Sequence, residues 1–339
     1  MSDSIESAEE VEASPAPTVP VVRRKGLWWR RWLPWVATVG IGVYLVVAHD
    51  IERVKDAIAA APMMKLLPFW VLSVGVVYLA DVGCLHSLFR RTGQRASFAE
   101  LRVVKGASYL LNIINYNAAV GGIAVVLARR KGRPILEYIS TMLMLSTIDL
   151  VGLSIYTLTG IAFLDTWPDV VDVEVVAMIA GTLVVGYLGG LVYWCGGWDF
   201  LILGRMRSWT VFHAFRVTRL ADHAILVAQR AGFMGLYFLI HYFSLDLFGI
   251  PIPWTELLVY NAVITIVGGL PISIAGLGTT QVVTIALYSA HGSEEAILAY
   301  SALITFSFVV LRAVIGYAYL PRLTELTEES ATAPAQPIE

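Results

Sequence analysis

The sequence has few cysteines and few charged residues for its length. Cys84 and Cys195 are the only cysteines among 339 residues, and both lie in apolar segments. We therefore expect neither a disulfide framework nor a cysteine-based metal site. Charged residues make up 15% and apolar residues 57% of the chain, and the mean hydropathy is +0.70. This composition is far from that of soluble domains and predicts a polytopic helical membrane protein.

Enzymatic motifs are also absent. The sequence contains no phosphate-binding glycine loop followed by Lys and Ser or Thr, no HExxH, no GxSxG and no paired carboxylates in a soluble segment. We therefore expect no catalytic residue, no metal and no cofactor. No soluble domain is expected to hold ATP, so any transport would be passive, or driven by a gradient or a partner. A nucleic-acid partner is not expected either.

The two ends of the chain differ from its apolar middle. Residues 1–26 are mainly acidic and rich in Ser, Pro and Ala without an apolar core, which predicts a disordered tail and not a cleaved signal peptide. Residues 324–339 are interpreted as a second disordered tail. Between them, residues 27–323 are predicted to form one transmembrane domain. Basic clusters mark the cytoplasmic side, which places both tails in the cytoplasm and the protein in the cell membrane.

One apolar segment, Thr255 to His291, is interrupted at its centre. Gly268, Gly269, Pro271, Gly276 and Gly278 fall where a continuous transmembrane helix would least accept them. Each arm is roughly 15 to 18 Å long, too short for the ~30 Å of hydrocarbon. The segment is therefore predicted to be a re-entrant pair of half-helices, with broken backbone that is tolerated only where protein or a wet cavity surrounds it.

A second segment, Ser97 to Ala128, has the same character. Its middle contains Asn115, Asn117 and the Gly121-Gly122 pair, and basic residues flank both ends. Because both ends are then cytoplasmic, we predict a re-entrant hairpin entered from the inside. Ser97 and Glu100 predict a capping box at its first helix.

Counting spans and hairpins gives an all-α polytopic membrane helix bundle with six crossings and two re-entrant helical hairpins. The halves, 32–164 and 175–320, are predicted to form an inverted-topology repeat, the pattern of secondary transporters whose site lies near the midplane. In this count, Arg205–Gln229 is one interfacial amphipathic helix, Ala231–Phe248 is the next span, and the last span, Ala296–Leu320, ends at Pro321.

The candidate substrate-binding residues lie at the hairpin tips, with one arginine in the last span. Half-helix N-termini at such tips favour anions such as phosphate. The alternative is that the glycines only allow close helix packing, but two polar, glycine-broken tips in matching positions favour binding. The candidates are Asn112, Asn115, Asn117, Gly121, Gly122, Pro271, Ser273, Gly276, Gly278, Thr279, Thr280, Gln281 and Arg312.

Three ionisable residues fall inside predicted spans, where an unpaired charge is costly. They are Asp81, Asp149 and Arg312. Asp149 and Arg312 lie at similar depths, so we expect a buried pair between them. For the two aspartates, structural pairing explains their presence at least as well as a substrate role. Arg312 can bind a phosphate bidentately and is the better candidate for a headgroup contact.

The stretches Gly106–Gly132 and Gly268–Gln281 carry a family resemblance. Over roughly Trp32 to Leu320, the chain resembles the lysylphosphatidylglycerol synthase transmembrane-region family, which is often described as flippase-like. Ile274, Ala275 and Gln281 stand where that family usually has Pro, Gly and Glu. The resemblance implies a lipid-handling membrane protein, here without the transferase domain of the members that synthesise aminoacylated lipid. Residues that match the family pattern are Leu270, Pro271, Ser273, Gly276 and Gly278.

The leading hypothesis is a protein that moves a lipid or lipid-linked headgroup, anionic or isoprenoid-linked, between leaflets, with the headgroup held between the two tips. The alternative is a non-transporting scaffold or accessory subunit of a lipid-modifying enzyme. A third hypothesis, a membrane-embedded transferase, needs a cytoplasmic-side constellation of Asp, Glu or His, and the sequence shows none.

Overall fold

A computed structural model describes residues 29–164, 172–196, 201–269 and 278–332. Every regular element in these ranges is helical, which confirms the predicted all-α class. In chain order the α-helices, with a 3-10 turn at Thr210–Phe212 before α9, are α1 (Trp29–Ala48), α2 (Ile51–Ala60), α3 (Met63–Arg91), α4 (Phe98–Ile114), α5 (Tyr116–Lys131), α6 (Ile135–Ala162), α7 (Val173–Gly196), α8 (Leu201–Arg207), α9 (His213–Val217), α10 (Leu220–Leu247), α11 (Trp254–Gly269), α12 (Thr279–Tyr288) and α13 (Glu294–Thr332).

Five of the described helices have the length and composition to cross a bilayer. They are α3, α6, α7, α10 and α13. Thr38–Ala48 of α1 and the whole of α11 are shorter apolar helices. The hydrophobic lengths therefore support an integral membrane protein.

The apolar side chains buried in the described part of the bundle form two clusters. One contains Trp70 of α3 and side chains of α10 to α13, such as Phe238 and Tyr288. The other contains Phe89 of α3 and side chains of α4, α5 and α6, such as Leu101. The two predicted hairpins therefore pack on different clusters, and α3 contributes to both.

The first hairpin breaks at a single residue. Asn115 adopts an extended conformation, with φ −162° and ψ 132°, between the end of α4 and the start of α5. The two helices then pack on each other, since a Cβ at Gly122 would lie 2.7 Å from Cδ1 of Leu111. The predicted capping box is also present, with Ser97 Oγ accepting from the Glu100 amide at 3.1 Å. The segment is thus two helices, as its polar and glycine residues predict.

In the second predicted hairpin, α11 ends at Gly269 and α12 begins at Thr279. A Cβ at Gly268, near the end of α11, would lie 3.0 Å from Cγ2 of Thr280 in the first turn of α12, so the end of α11 lies against the start of α12. Pro271, Ser273 and Gly276 lie outside the described residues.

The structure differs from the sequence-based expectation between Arg205 and Gln229. This stretch is not one interfacial helix: it contains the end of α8, a 3-10 turn, α9 and the first turns of α10, which begins at Leu220 and not at Ala231. Asp222 explains the early start, because its carboxylate accepts from the Arg219 amide and forms an ion pair with Arg91 of α3. The helix start was not predicted from the sequence because the basic and aromatic residues of this stretch are also typical of an interfacial helix.

The last helix also exceeds its expected end. α13 continues through Pro321 to Thr332, so residues 324–332 are helical although the sequence favoured a disordered tail. Packing explains how the helix tolerates the proline, since Tyr319 and Leu323 pack on the second apolar cluster and Arg130 of α5 donates to the Leu326 carbonyl. Residues 333–339 are outside the described range.

The contact between α6 and α11 yields a stability prediction. A Cβ at Gly160 would lie 2.1 Å from Cγ2 of Val259 and 2.9 Å from the Thr255 carbonyl oxygen. Gly160→Ala is therefore expected to lower the free energy of unfolding by about 1–3 kcal/mol, because backbone must shift to admit the methyl group. Thermal unfolding in detergent measures this effect.

The matched control is Gly152→Ala on the same helix, where the nearest atom to the new Cβ is Sδ of Met234 at 3.9 Å. This variant should keep the wild-type Tm or exceed it slightly, since alanine favours helix. Equal Tm values for the two variants would contradict the close α6–α11 packing.

Candidate functional site

Four charged side chains from four helices, three of them buried and that of Lys105 partly buried, form one network. Arg230 of α10 donates from Nε and Nη2 to the two carboxylate oxygens of Asp149 of α6, at 2.5 and 2.8 Å. Its Nη1 donates to Oδ1 of Asp81 of α3 at 2.7 Å. Nζ of Lys105 of α4 lies 2.7 Å from Oδ2 of the same aspartate. We call these four residues the charge network.

The charge network contains equal numbers of cations and carboxylates. Arg230 is 5% exposed, Asp81 7% and Asp149 8%. Charges this deeply buried are tolerated only when they are paired and hydrogen-bonded, and removing one partner leaves another charge uncompensated. The network therefore fixes α3, α4, α6 and α10 relative to one another.

The charge network also reaches the tip of the first hairpin. Tyr116, the first residue of α5, donates its hydroxyl to Oδ2 of Asp149 at 3.4 Å. Asn115 Oδ1 accepts from the amides of Asn117 and Ala118 at 2.7 and 3.2 Å, so this side chain caps α5. The break is thus held by its own cap and by a contact to the network.

The other candidates near the first tip are less constrained. Asn112 is half-buried and Asn117 is exposed, and neither side chain has a hydrogen bond to the described part of the chain. Gly121 has open space at its Cβ position, whereas Gly122 packs against Leu111. The packing interpretation therefore accounts for Gly122 and leaves Asn112, Asn117 and Gly121 as candidates for ligand contact.

The second tip is organised by Gln281. Its Oε1 accepts from the amide of Gly278 at 2.6 Å and from the Thr280 hydroxyl at 3.2 Å. Its Nε2 donates to Oγ1 of Thr305 at 3.3 Å and to the Ser301 carbonyl at 3.5 Å. Gly278 has φ +92°, which favours glycine. Gln281 therefore starts α12 and joins it to α13, while Thr279 and Thr280 stay half-buried beside it.

Arg312 does not pair with Asp149, contrary to our expectation. Asp149 binds Arg230 instead, because the early start of α10 carries Arg230 into the bundle. The Arg312 guanidinium lies 5.8 Å from the ring centres of both Tyr109 of α4 and Phe308 of α13. Among the described residues it has no ion pair, so its charge is available to a ligand.

Sequence reasoning missed Arg230, although a signal was present. Apolar and small residues flank it on both sides, from Ala224 to Leu236 except for Gln229. A helix start at Leu220 and not at Ala231 would have placed this arginine within a span.

Both hairpins contact α13, and they do so from opposite ends. Gly106 of α4 packs against Tyr319 and Leu110 against Gly316, so α4 runs antiparallel to α13 and its tip points toward Arg312. The first turn of α12 contacts α13 at Ser301 and Thr305 through Gln281. Thr305 and Arg312 are about 10 Å apart along the helix axis. The two breaks therefore approach the same part of α13.

Comparison with protein families gives a match over most of the helical region. The model of the lysylphosphatidylglycerol synthase transmembrane region matches residues 35–316. The chain belongs to this family. The matched range contains both hairpins, the charge network and Arg312, and it confirms the resemblance carried by Gly106–Gly132 and Gly268–Gln281. Family membership indicates a membrane protein of lipid metabolism or translocation. A comparison with curated proteins gives no match.

The charge network predicts a large effect for an isosteric substitution. Asp149→Asn removes the carboxylate that binds Arg230 bidentately and leaves two cations sharing Asp81. The free energy of unfolding should fall by about 3–5 kcal/mol, as for other broken buried pairs. Thermal unfolding of the detergent-purified protein measures the loss.

Asp246→Asn is the matched control, because Asp246 is an exposed carboxylate near the end of α10. It should leave the Tm within about 1 °C of wild type, as surface substitutions usually do. A similar small change for Asp149→Asn would show that the network does not hold the bundle together.

Proposed function

We propose that this protein moves a lipid or lipid-linked headgroup between the leaflets of the cell membrane. The observation that carries the proposal is the approach of two broken helices to one stretch of α13 from opposite ends, near Arg312. In this proposal the two hairpins are re-entrant from opposite faces, and the halves of the chain form an inverted-topology repeat with cytoplasmic termini.

A headgroup that crosses hydrocarbon needs polar partners at the midplane. Arg312 can offer two parallel donors to a phosphate, and the described residues give its guanidinium aromatic contacts but no carboxylate. Asn112, Asn117 and Thr280 add amide and hydroxyl groups at the tips. This chemistry favours anionic or isoprenoid-linked lipids, whose headgroups carry phosphate.

The charge network has a different role in the proposed mechanism. Its two cations are already bound by two carboxylates, so it offers little net charge to a substrate. Its contact from Asp149 to Tyr116 holds the first tip in place. We therefore assign the network to positioning and Arg312 to headgroup binding.

Movement between leaflets in this proposal uses no ATP, since the sequence has no nucleotide-binding motif. The driving force would be a gradient, a partner or the concentration difference of the lipid itself. The protein would act without covalent chemistry, as a transporter and not an enzyme.

A second candidate function is a non-transporting accessory subunit of a lipid-modifying enzyme. Gln281 favours it, because both polar atoms of its side chain are engaged within the protein and the residue is 4% exposed. A hairpin tip whose polar side chain is used in internal hydrogen bonds is as consistent with a rigid scaffold as with a transport site.

Reconstitution into phosphatidylcholine vesicles tests the leading proposal. Headgroup-labelled phosphatidylglycerol in the outer leaflet is quenched, and the rate at which inner-leaflet label becomes accessible measures exchange. Arg312→Gln should slow this exchange about tenfold or more, because a charge-assisted hydrogen-bond pair to phosphate is lost. Arg129→Gln, an exposed arginine at the end of α5, is the control and should exchange at the wild-type rate.

Absence of exchange by wild-type protein for phosphatidylglycerol and for a labelled polyprenyl phosphate would contradict transport. Co-purification of a lipid-modifying enzyme in that case would support the accessory function. Equal exchange by wild type and Arg312→Gln would remove Arg312 from the mechanism.

A further inference from the structure

A basic groove lies at the end of the bundle where α4 begins and α5 and α13 approach their ends. Its volume is about 630 Å³, and it is separate from the hairpin tips. Five cations and one carboxylate line it: Arg95, Arg102, Arg130, Lys131, Arg322 and Glu100. We call it the basic groove.

The single carboxylate that lines the basic groove already forms ion pairs within the protein. Glu100 has its Oε1 2.7 Å from Nε of Arg130 and its Oε2 2.9 Å from Nζ of Lys131, and it also caps α4. Glu325 and Glu328 belong to the same part of α13 but do not line the groove. The remaining lining cations, Arg95, Arg102 and Arg322, have no ion pair within the described ranges. The groove therefore has an excess of positive charge.

Arg102 has a side-chain donor that lacks a hydrogen-bond acceptor in the part of the chain that the structure describes. Its Nε is buried from solvent and has no hydrogen-bond acceptor among the described residues. Its backbone carbonyl accepts from the Tyr78 hydroxyl, which fixes this turn of α4 on α3. A buried donor without an acceptor is costly, and turning this guanidinium onto an anion in the groove that Arg102 lines would give it one.

We propose that the basic groove binds a phosphate ester of net negative charge, with Arg102 and Arg322 as its principal donors. Ligand sites commonly span about 300–1,000 Å³, so a phosphoglycerol headgroup fits this volume. The ester can belong to an anionic lipid at the membrane surface or to a soluble molecule, since both present anionic phosphate oxygens to arginine. This site does not depend on the proposed transport, because binding here requires no exchange between leaflets.

The test compares two double variants of the full chain that lose the same charge at the same end of the bundle. Arg102→Gln with Arg322→Gln alters the basic groove. Arg90→Gln with Arg129→Gln removes two exposed arginines from the last turns of α3 and α5, outside the lining. Each protein is titrated in neutral detergent with phosphatidylglycerol, with phosphatidylcholine and with glycerol 3-phosphate. Thermal unfolding measures stabilisation by each compound, and native mass spectrometry detects the bound adducts.

We expect phosphatidylglycerol, but not phosphatidylcholine, to stabilise wild type and the control, and its apparent affinity to fall at least tenfold in the groove variant. If glycerol 3-phosphate stabilises wild type and its apparent affinity falls in the same way in the groove variant, this would also support the site and would assign it to a soluble ester. Equal responses of the two double variants, or no response of wild type to either ester, would overturn the proposal. If the groove double variant is unstable, Arg322→Gln alone provides the comparison, since Arg322 is exposed.

Discussion

A fully paired arginine in the bundle interior is the constraint on which the rest of the structure depends. Arg230 can be buried there only because Asp149 and Asp81 both bind it, and Lys105 balances the second carboxylate. These contacts require α3, α4, α6 and α10 to meet at one level. The contact from Asp149 to Tyr116 extends the same constraint to the break between α4 and α5. One set of charges therefore holds these four helices together and also positions the break between α4 and α5.

α13 connects this network to the second hairpin. Gly316 and Gly106 allow α4 to pack closely against it, while Gln281 joins it to the start of α12. Close packing at glycine and side-chain hydrogen bonds are the usual means of holding helices together where no hydrophobic force acts between them. Arg312 lies between these two attachment points on α13 and retains only aromatic neighbours in the described structure. The account of lipid movement rests on that arrangement.

Local chemistry made several features predictable from the sequence. Ser97 and Glu100 identify the start of α4, and Asn115 and the glycines near Gly278 identify the broken helices, because each feature depends on neighbours along the chain. The ion-pair partner of Asp149 was not predictable in the same way. Asp149 was matched to Arg312 by depth alone, whereas the true partner depended on where α10 begins. The continuation of α13 through Pro321 likewise depends on packing against α4 and α5, which no local pattern encodes.

Spin-label depth measurements test whether both breaks lie at the middle of the bilayer. With Cys84 and Cys195 replaced by serine, single labels at Asn117 and Val282, both exposed residues just after the breaks, are compared with labels at Arg95 and Ser289 near the hairpin bases. We expect both tip labels to lie near the bilayer centre and the two base labels to lie at opposite headgroup layers. Tip labels at headgroup depth, or base labels on the same side, would contradict this arrangement.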